Sequence, residues 1–463
     1  MRKLGRRMGI VSCRFESRLG SSYSTIRVLQ FAIPGRARWR GKGRHKACPY
    51  RSLRGRVEAA LLLHQIRLRT DHSNVAATGL RELTPVPGCT AEQRIRSGIG
   101  ENEKRRLRES PFGASMNFAL ERGEALLSVS VSFQESEEQR MLRVTKPEGF
   151  GNIVLEEVPI PPVGPNEVRV RSKVSLISRG SEILRRYMHE EAIDPRIMGY
   201  SLAGVVDAVG SEAAQKFQPG DRVMAVAPHA QYVVQPVDSR IGPRVWPLPD
   251  DISFEEATFL PLAKSGVTWA QSPGIRPSHT IVIMGQGLVG NLVLQGVKQH
   301  LCEQIIVVDA IAKRCQMGLI FGADHAVDVT ETDPVERVME LTDGRGADIV
   351  FECVGGEPGL KSFAQAQEMV CDGGTLHLIG LYHGQPLPLD AGKIQRRRLI
   401  GGYYGEDPPE YMLARTVELV REGRIRVEPL VSHRFPYQEA KEAFDLLYGR
   451  LAEAMGVLLV WEE

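Results

Sequence analysis

A five-residue apolar run, Thr280-Ile281-Val282-Ile283-Met284, leads directly into Gly285-Gln286-Gly287-Leu288-Val289-Gly290. No other feature restricts the fold of this chain as tightly. An unbroken apolar run of strand length is expected of a strand buried on both faces. A G-x-G-x-x-G at its end gives each glycine separate work. Gly285 permits a tight turn, Gly287 lets the backbone approach a phosphate, and Gly290 lets helix and strand pack closely. The following helix, predicted to run to about His300, offers unpaired N–H groups and a positive dipole end at its N-terminus. Leu288 and Val289 lie in the same turn and are predicted to line the site with the three glycines.

A Gly-rich loop alone is weak, so the context decides. A second buried strand, Ile305-Ile306-Val307-Val308, ends in Asp309, about 19 residues past Gly290. A carboxylate there accepts hydrogen bonds from ribose hydroxyls and repels a 2′-phosphate. The expected ligand is therefore a nicotinamide dinucleotide, with NAD(H) preferred and NADP(H) still open. Two features could weaken that reading: Asp309 as a mere cap for the next helix, and Arg314 pointing back toward it. Further strands are expected at Ala326–Asp328, Asp348–Cys353, Gly374–Gly380 and Leu399–Gly402. With helices between them, they make an α/β protein with a doubly wound parallel Rossmann sheet. Ligands sit at the carboxyl ends of such strands. Val354, Gly355, Ile379 and Gly380 are accordingly expected at the nicotinamide half, although ordinary turn chemistry explains them equally well.

Charge divides the chain into unlike pieces. Residues 1–140 carry 27 Lys and Arg against 13 Asp and Glu, leaving 32 against 43 for the remainder. Its composition fits a basic arm for nucleic acid, a long transit peptide or a gene-model artefact with translation starting at Met116 or Met141, and the last is favoured. Residues 1–140 are thus expected to be a basic extension, disordered or non-native, without a coherent core or strand ladder and with brief helical periodicity around Val57–Leu63. Seven scattered cysteines without metal-ligand spacing argue for a reducing, cytoplasmic setting. No apolar run is long enough for a membrane span. The expected partner is a small-molecule substrate, with neither nucleic acid nor membrane.

Residues 141–263 read as β-rich, with alternation in Glu167-Val168-Arg169-Val170-Arg171 and a turn-to-strand signal in Pro219-Gly220-Asp221-Arg222-Val223. Residues 264–405 then form the dinucleotide domain, and residues 406–463 return to the first domain through helices near Met412–Val420 and Gln438–Leu447 and a strand at Gly456–Val460. The landmarks Pro219–Val223, His229-Ala230-Gln231-Tyr232, the glycine loop, Phe321-Gly322-Ala323-Asp324-His325 and Gly346-Ala347-Asp348 through Gly355 occur in order. Over about residues 141–463 the chain thereby resembles the medium-chain dehydrogenase/reductase superfamily. The resemblance implies a Rossmann sheet inserted into a GroES-like substrate domain, an active site in the cleft between them, and a homodimer by analogy.

The zinc motifs of that superfamily are not matched. Where a Cys-Gly-Ser/Thr-Asp motif is expected, the chain has Arg179-Gly180-Ser181-Glu182, and Gly-His-Glu is replaced by Gly199-Tyr200-Ser201. Arg cannot ligate a metal, and neutral Tyr and Ser are poor ligands, so neither catalytic nor structural zinc is expected. A hydrogen-bond donor must then meet the developing oxyanion. Tyr200 and Ser178 are the candidates by position, with Tyr187 and His229 behind them. Tyr200 could equally fill space left by a metal. Arg179 and Glu182 are expected to pair with each other, or, if unpaired, Arg179 could take an anionic substrate group. His229 is expected to hold a backbone carbonyl, and Lys264 to be a surface hinge residue. The reading is a zinc-independent, NAD(H)-preferring oxidoreductase of alcohols and carbonyls. Its alternatives are an NADPH-dependent quinone or enone reductase and a non-catalytic dinucleotide-binding protein.

Overall fold

A computed structural model describes residues 25–28, 113–121, 124–132, 139–239, 242–381, 386–401 and 405–461. They fall into two units, Met1–Glu137 and Glu138–Glu463. In the first unit, β1 (Thr25–Val28), β2 (Gly113–Glu121) and β3 (Glu124–Ser132) form an antiparallel sheet in the order β1-β3-β2. This corrects the expectation of no strand ladder there. The strict alternation Leu127-Ser128-Val129-Ser130-Val131-Ser132 was the available signal, and its period of two is that of a strand with unlike faces. The Val57–Leu63 segment lies outside the described residues.

The second unit opens with a hairpin, β4 (Arg140–Thr145) and β5 (Val154–Pro159). β6 (Glu167–Ile177), β7 (Leu202–Val209), β8 (Arg222–Ala225), β9 (Tyr232–Pro236) and β10 (Val245–Pro247) follow. In β6, Val168, Val170, Ser172 and Val174 are buried in alternation, and then Leu176 and Ile177 are both buried. The change marks where the strand passes from a half-exposed face to one covered on both sides.

α1 (Phe254–Gln271) carries the chain into a parallel sheet. That sheet consists of β11 (Thr280–Met284), β12 (Gln304–Asp309), β13 (His325–Asp328), β14 (Ala347–Glu352), β15 (Val370–Leu378) and β16 (Arg398–Gly401). The helices between these strands are α2 (Leu288–Val297), α3 (Ala312–Ile320), α4 (Pro334–Leu341), α5 (Pro358–Met369) and the short α6 (Ala391–Ile394). The strand order β13-β12-β11-β14-β15-β16 reverses direction at β11, as in a doubly wound sheet with its ligand crevice at the switch point. Every residue of β11 is buried. α7 (Pro409–Arg421), β17 (Val431–Pro436), α8 (Ala440–Gly449) and β18 (Gly456–Val460) complete the chain, and β18 returns to pair antiparallel with β6. Among the described residues no helix is long and apolar enough to cross a membrane.

The boundary expected at residue 263/264 falls inside α1, which runs unbroken for 18 residues from a capping box of Ser253 and Glu256. This helix belongs to both domains. A Cβ on Gly266 would stand 2.7 Å from the carbonyl oxygen of Leu292, and one on Gly296 would stand 2.8 Å from that of Gly266. α1 and α2 therefore meet at backbone contact. On the other side, Phe259 of α1 is fully buried and its ring tip lies 3.0 Å from where a Cβ on Gly456 of β18 would be. Lys264, expected at the surface, is half-buried on this helix, where burial pushes its pKa down and the charge of Glu410 partly opposes that.

Because Phe259 packs where the two domains share a core, Phe259→Ala is expected to cost about 3–5 kcal/mol. Urea unfolding followed by near-UV signals should show one shifted transition. Two separated transitions would mean that α1 does not couple the domains.

Candidate functional site

The end of β11 turns at Gly285, whose φ of 87° is open to glycine. A Cβ on Gly290 would lie 1.7 Å from the Gly285 carbonyl oxygen, so no larger residue fits there. The N-terminus of α2, capped by Gly287 without a side-chain hydrogen bond, leaves backbone N–H groups facing the crevice with Leu288 and Val289 in its first turn. Asp309 at the end of β12 holds this turn: its Oδ2 accepts from Gln286 N at 2.6 Å and its Oδ1 from Ile311 N at 2.9 Å. Ile311, rather than Asp309, is the cap residue of α3. Arg314 feels the charge of Asp309, which opposes the lowering of its pKa by burial. Its Nη2 donates to the carbonyls of Leu451 at 2.7 Å and Ala454 at 3.2 Å, while its Nη1 lies 3.7 Å from the Cβ position of Gly287.

The carboxyl ends of β14 and β15 meet at backbone contact. Gly355 has a φ of 62°, and a Cβ on it would stand 2.7 Å from Leu381 N. A Cβ on Gly380 would stand 2.6 Å from Gly355 N. Glu352, fully buried beneath them, accepts from Val354 N at 3.0 Å and from Ser362 Oγ at 2.8 Å. Ile379 N donates to the Glu352 carbonyl at 2.9 Å. Val354, Gly355, Ile379 and Gly380 thus share one rim.

Facing that rim is a π-helical segment, Arg179–Tyr187. Such turns are rare and frequent at functional sites. Gly180 approaches the Leu381 side chain, with its Cβ position 3.4 Å from Cδ1, and Leu184 approaches Gly356 in the same way at 3.5 Å. Immediately before the segment, Ser178 Oγ accepts a hydrogen bond from Tyr200 Oη at 2.8 Å. The two candidate catalytic side chains are therefore in direct contact. Tyr187 is not available to the cleft: its hydroxyl donates to Asp445 Oδ1 at 2.7 Å and its ring packs against Phe444.

The pairing expected between Arg179 and Glu182 does not occur. Glu182 is fully buried, and its Oε1 lies 2.8 Å from His229 Nε2 while its Oε2 accepts from Ser178 N at 2.7 Å. A buried carboxylate is satisfied best by groups that are themselves buried and fixed, and an imidazole and an amide meet that need. His229 likewise does not use its ring to hold a backbone carbonyl. Its Nδ1 lies 2.8 Å from Ser175 Oγ, which accepts from Trp461 Nε1 at 2.8 Å. A ring protonated on Nε2 satisfies every member of this chain, each hydrogen passing from Trp461 toward Glu182. Gly199, with a φ of 109°, admits His229 because a Cβ would stand 2.8 Å from His229 N. Ser175, Trp461 and Arg186 are site residues that sequence reasoning missed. The doublet Arg185-Arg186 was the only local signal among them.

Arg179 and Arg186 each bury one nitrogen that nothing satisfies. Arg179 Nε and Arg186 Nη1 are buried and have no hydrogen-bond partner. Burial pushes the pKa of Arg179 down, and the nearby charge of Arg314 adds to this. Burial likewise lowers that of Arg186, opposed by Glu182 and Tyr200. For a metal, the donor set does not fit: both ring nitrogens of His229 are engaged, Tyr200 and Ser178 hold each other, and Arg179 cannot ligate. Among the described residues no three His, Cys, Asp or Glu side chains are grouped to hold a metal ion. The glycine cradle and the unpartnered Arg179 Nε do fit a dinucleotide.

Residues 164–239 match the family described as the alcohol dehydrogenase GroES-like domain, and residues 289–420 that described as zinc-binding dehydrogenase. Sorbitol dehydrogenase of Homo sapiens is 27% identical over 333 residues, covering 64% of this chain and 90% of that protein. An uncharacterized zinc-type alcohol dehydrogenase-like protein of Escherichia coli is 26% identical over 333 residues, covering 64% and 92%. Among solved structures, an alcohol dehydrogenase from a Thermus species superimposes with a TM-score of 0.61 at 24% identity, over 70% of this chain and all of the other.

Removing one partner of the Glu182–His229 pair strands the other in a dry site, so Glu182→Ala and His229→Ala are each expected to cost about 3–5 kcal/mol. In denaturant titrations the double variant should lose clearly less than the sum of the two. Additive losses would show that the two side chains do not act as a pair.

Proposed function

The chain belongs to the zinc-type medium-chain alcohol dehydrogenase superfamily, and from that premise we propose that it is a zinc-independent, NAD(H)-preferring dehydrogenase of an alcohol/carbonyl pair. The observation that carries the reading is the 2.8 Å contact of Tyr200 Oη with Ser178 Oγ, at the position where a metal-ligand motif is replaced. The nicotinamide, when bound, supplies the hydride chemistry. The chain must bind and orient it, exclude water and handle a proton.

Gly285, Gly287 and Gly290, with Leu288 and Val289, would take the pyrophosphate on backbone N–H groups. Asp309 would meet the adenosine ribose. Its two engaged oxygens keep further lone pairs, because each carboxylate oxygen can accept more than once. Arg314, tied to Leu451 and Ala454 and within the field of Asp309, would stand beside both the phosphates and the ribose edge. Val354, Gly355, Ile379 and Gly380 would border the nicotinamide.

Tyr200 and Ser178 have rotatable protons, so their hydrogen bond can run in either sense. With Tyr200 donating to Ser178, the phenol oxygen can accept from an alcohol O–H. With Ser178 donating to Tyr200, the phenol proton can be directed to a carbonyl oxygen as charge develops on it. Glu182 fixes this pair by holding Ser178 N.

Tyr200→Phe is expected to lower kcat about 10²–10³-fold, the usual loss for one oxyanion donor, with NADH binding unchanged. Steady-state kinetics beside nucleotide fluorescence test this, and an unaltered kcat would remove Tyr200 from the chemistry. In the same fluorescence titration NADH is expected to bind tighter than NADPH, and prolonged chelation should leave turnover intact. Preference for NADPH would sink the Asp309 role, and chelator-sensitive turnover would sink zinc independence.

A further inference from the structure

The glycine loop is held from behind by an amide one turn into α2. Asn291 is fully buried and is followed by Leu292, Val293 and Leu294, which are buried as well. Its Nδ2 donates to the carbonyl of Gln286 at 2.7 Å and, at the longer distance of 3.3 Å, to that of Gly287. Its Oδ1 is buried without a hydrogen-bond partner. The two carbonyls settle which way the amide points, because the reverse orientation would set an oxygen against two oxygens. An apolar side chain would fill this place without burying an unsatisfied oxygen, so packing alone does not explain an amide here.

What the donor does follows from the planar peptide. The Gln286 carbonyl and the Gly287 N–H belong to one trans peptide unit and point in opposite directions. A carbonyl drawn inward to Asn291 therefore turns Gly287 N–H outward, away from the core. The preceding unit is held too, since Gln286 N donates to Asp309 Oδ2 at 2.6 Å. Gly287 is what makes the holding necessary. Its φ is −68°, and turning the 286–287 peptide over would carry that angle to positive values, which glycine tolerates and residues with a Cβ resist. The Asn291 amide supplies the restraint that a Cβ would otherwise impose.

We propose that Asn291 is a positioning residue for the dinucleotide, fixing the Gln286–Gly287 peptide so that Gly287 N–H meets the pyrophosphate. The inference rests on the dinucleotide reading given above and adds to it a residue outside the G-x-G-x-x-G pattern. Asp309 would act on the ribose, where NADH and NADPH differ. Asn291 would act on the pyrophosphate, which they share.

The test is a fluorescence titration of the full chain with NADH and with NADPH. Asn291→Leu keeps the shape of the side chain and removes the donor. It is expected to weaken both nucleotides by the same factor, about threefold to tenfold, the range for one neutral hydrogen bond. At saturation the bound nicotinamide should emit as in the unaltered protein, a signature that general loosening of the crevice would change. Asn291→Ser keeps a hydroxyl that can bond the carbonyl four residues back, that of Gly287, and leaves the Gln286 carbonyl without its donor. It should lose as much as Asn291→Leu, and it decides the matter if the larger apolar side chain prevents folding. Affinities within about twofold of the unaltered protein in both variants would overturn the inference. So would unequal losses for NADH and NADPH, altered emission at saturation, or a loss in Asn291→Leu that Asn291→Ser restores. If the unaltered protein binds neither nucleotide, the dinucleotide reading itself falls and the inference with it.

Discussion

Glu182 and His229 are both fully buried, and an isolated carboxylate in that position would cost several kcal/mol in lost hydration. What makes the site tolerable is that every neighbour supplies one needed hydrogen bond and no more. Trp461 serves Ser175, Ser175 serves His229, and His229 and Ser178 N serve Glu182. Trp461 follows β18, which pairs with β6, while Glu182 sits in the π-helical segment that follows β6. The polar chain thereby fixes the angle at which that segment leaves the sheet. Ser178, Arg179 and Arg186 take their positions from it, so the wall of the cleft opposite the glycine loop depends on one dry network.

The parallel sheet was legible because its information is local. Each central strand is a short apolar run ended by glycine or a carboxylate, and the helices between them have regular spacing. Asp309 and the glycine loop could be found for the same reason, since the whole constellation occupies a stretch of about thirty residues with fixed intervals. The observed elements differ from those expected by a few residues at their ends, as with α2 closing at Val297 before a turn that reaches His300. The shared helix α1 was misdivided because what assigns it to both domains is the contact of Gly266 with α2 and of Phe259 with β18. Neither contact leaves a periodic trace.

The polar site was less legible. His229 lies 47 residues from Glu182, and Trp461 lies 286 from Ser175. No spacing rule spans such distances. Sequence proximity instead suggested that Arg179 would neutralise Glu182, three residues away. Burial decided otherwise: the carboxylate points into the core toward fixed donors, His229 and Ser178 N. Of the two arginines, Glu182 thus serves the one seven residues from Arg179 in sequence: its charge favours Arg186, against the burial that lowers the pKa of that guanidinium.

That charge bears on how the proposed chemistry could proceed without a metal. Two tasks fall on a metal ion at a reacting oxygen: supplying positive charge and lowering the cost of losing a proton. In this cleft different side chains are suited to each. Guanidinium groups stay protonated and can contribute only charge and orientation. Tyr200 and Ser178 are neutral hydroxyls that can pass a proton but offer little charge of their own. Hydrogen bonds in a water-poor site gain strength when the field around them favours the developing anion. The charge of Arg186 acts on the phenol of Tyr200 and contributes to such a field. Glu182 favours that charge, while the buried Nη1, which has no hydrogen-bond partner, sets a desolvation cost against it.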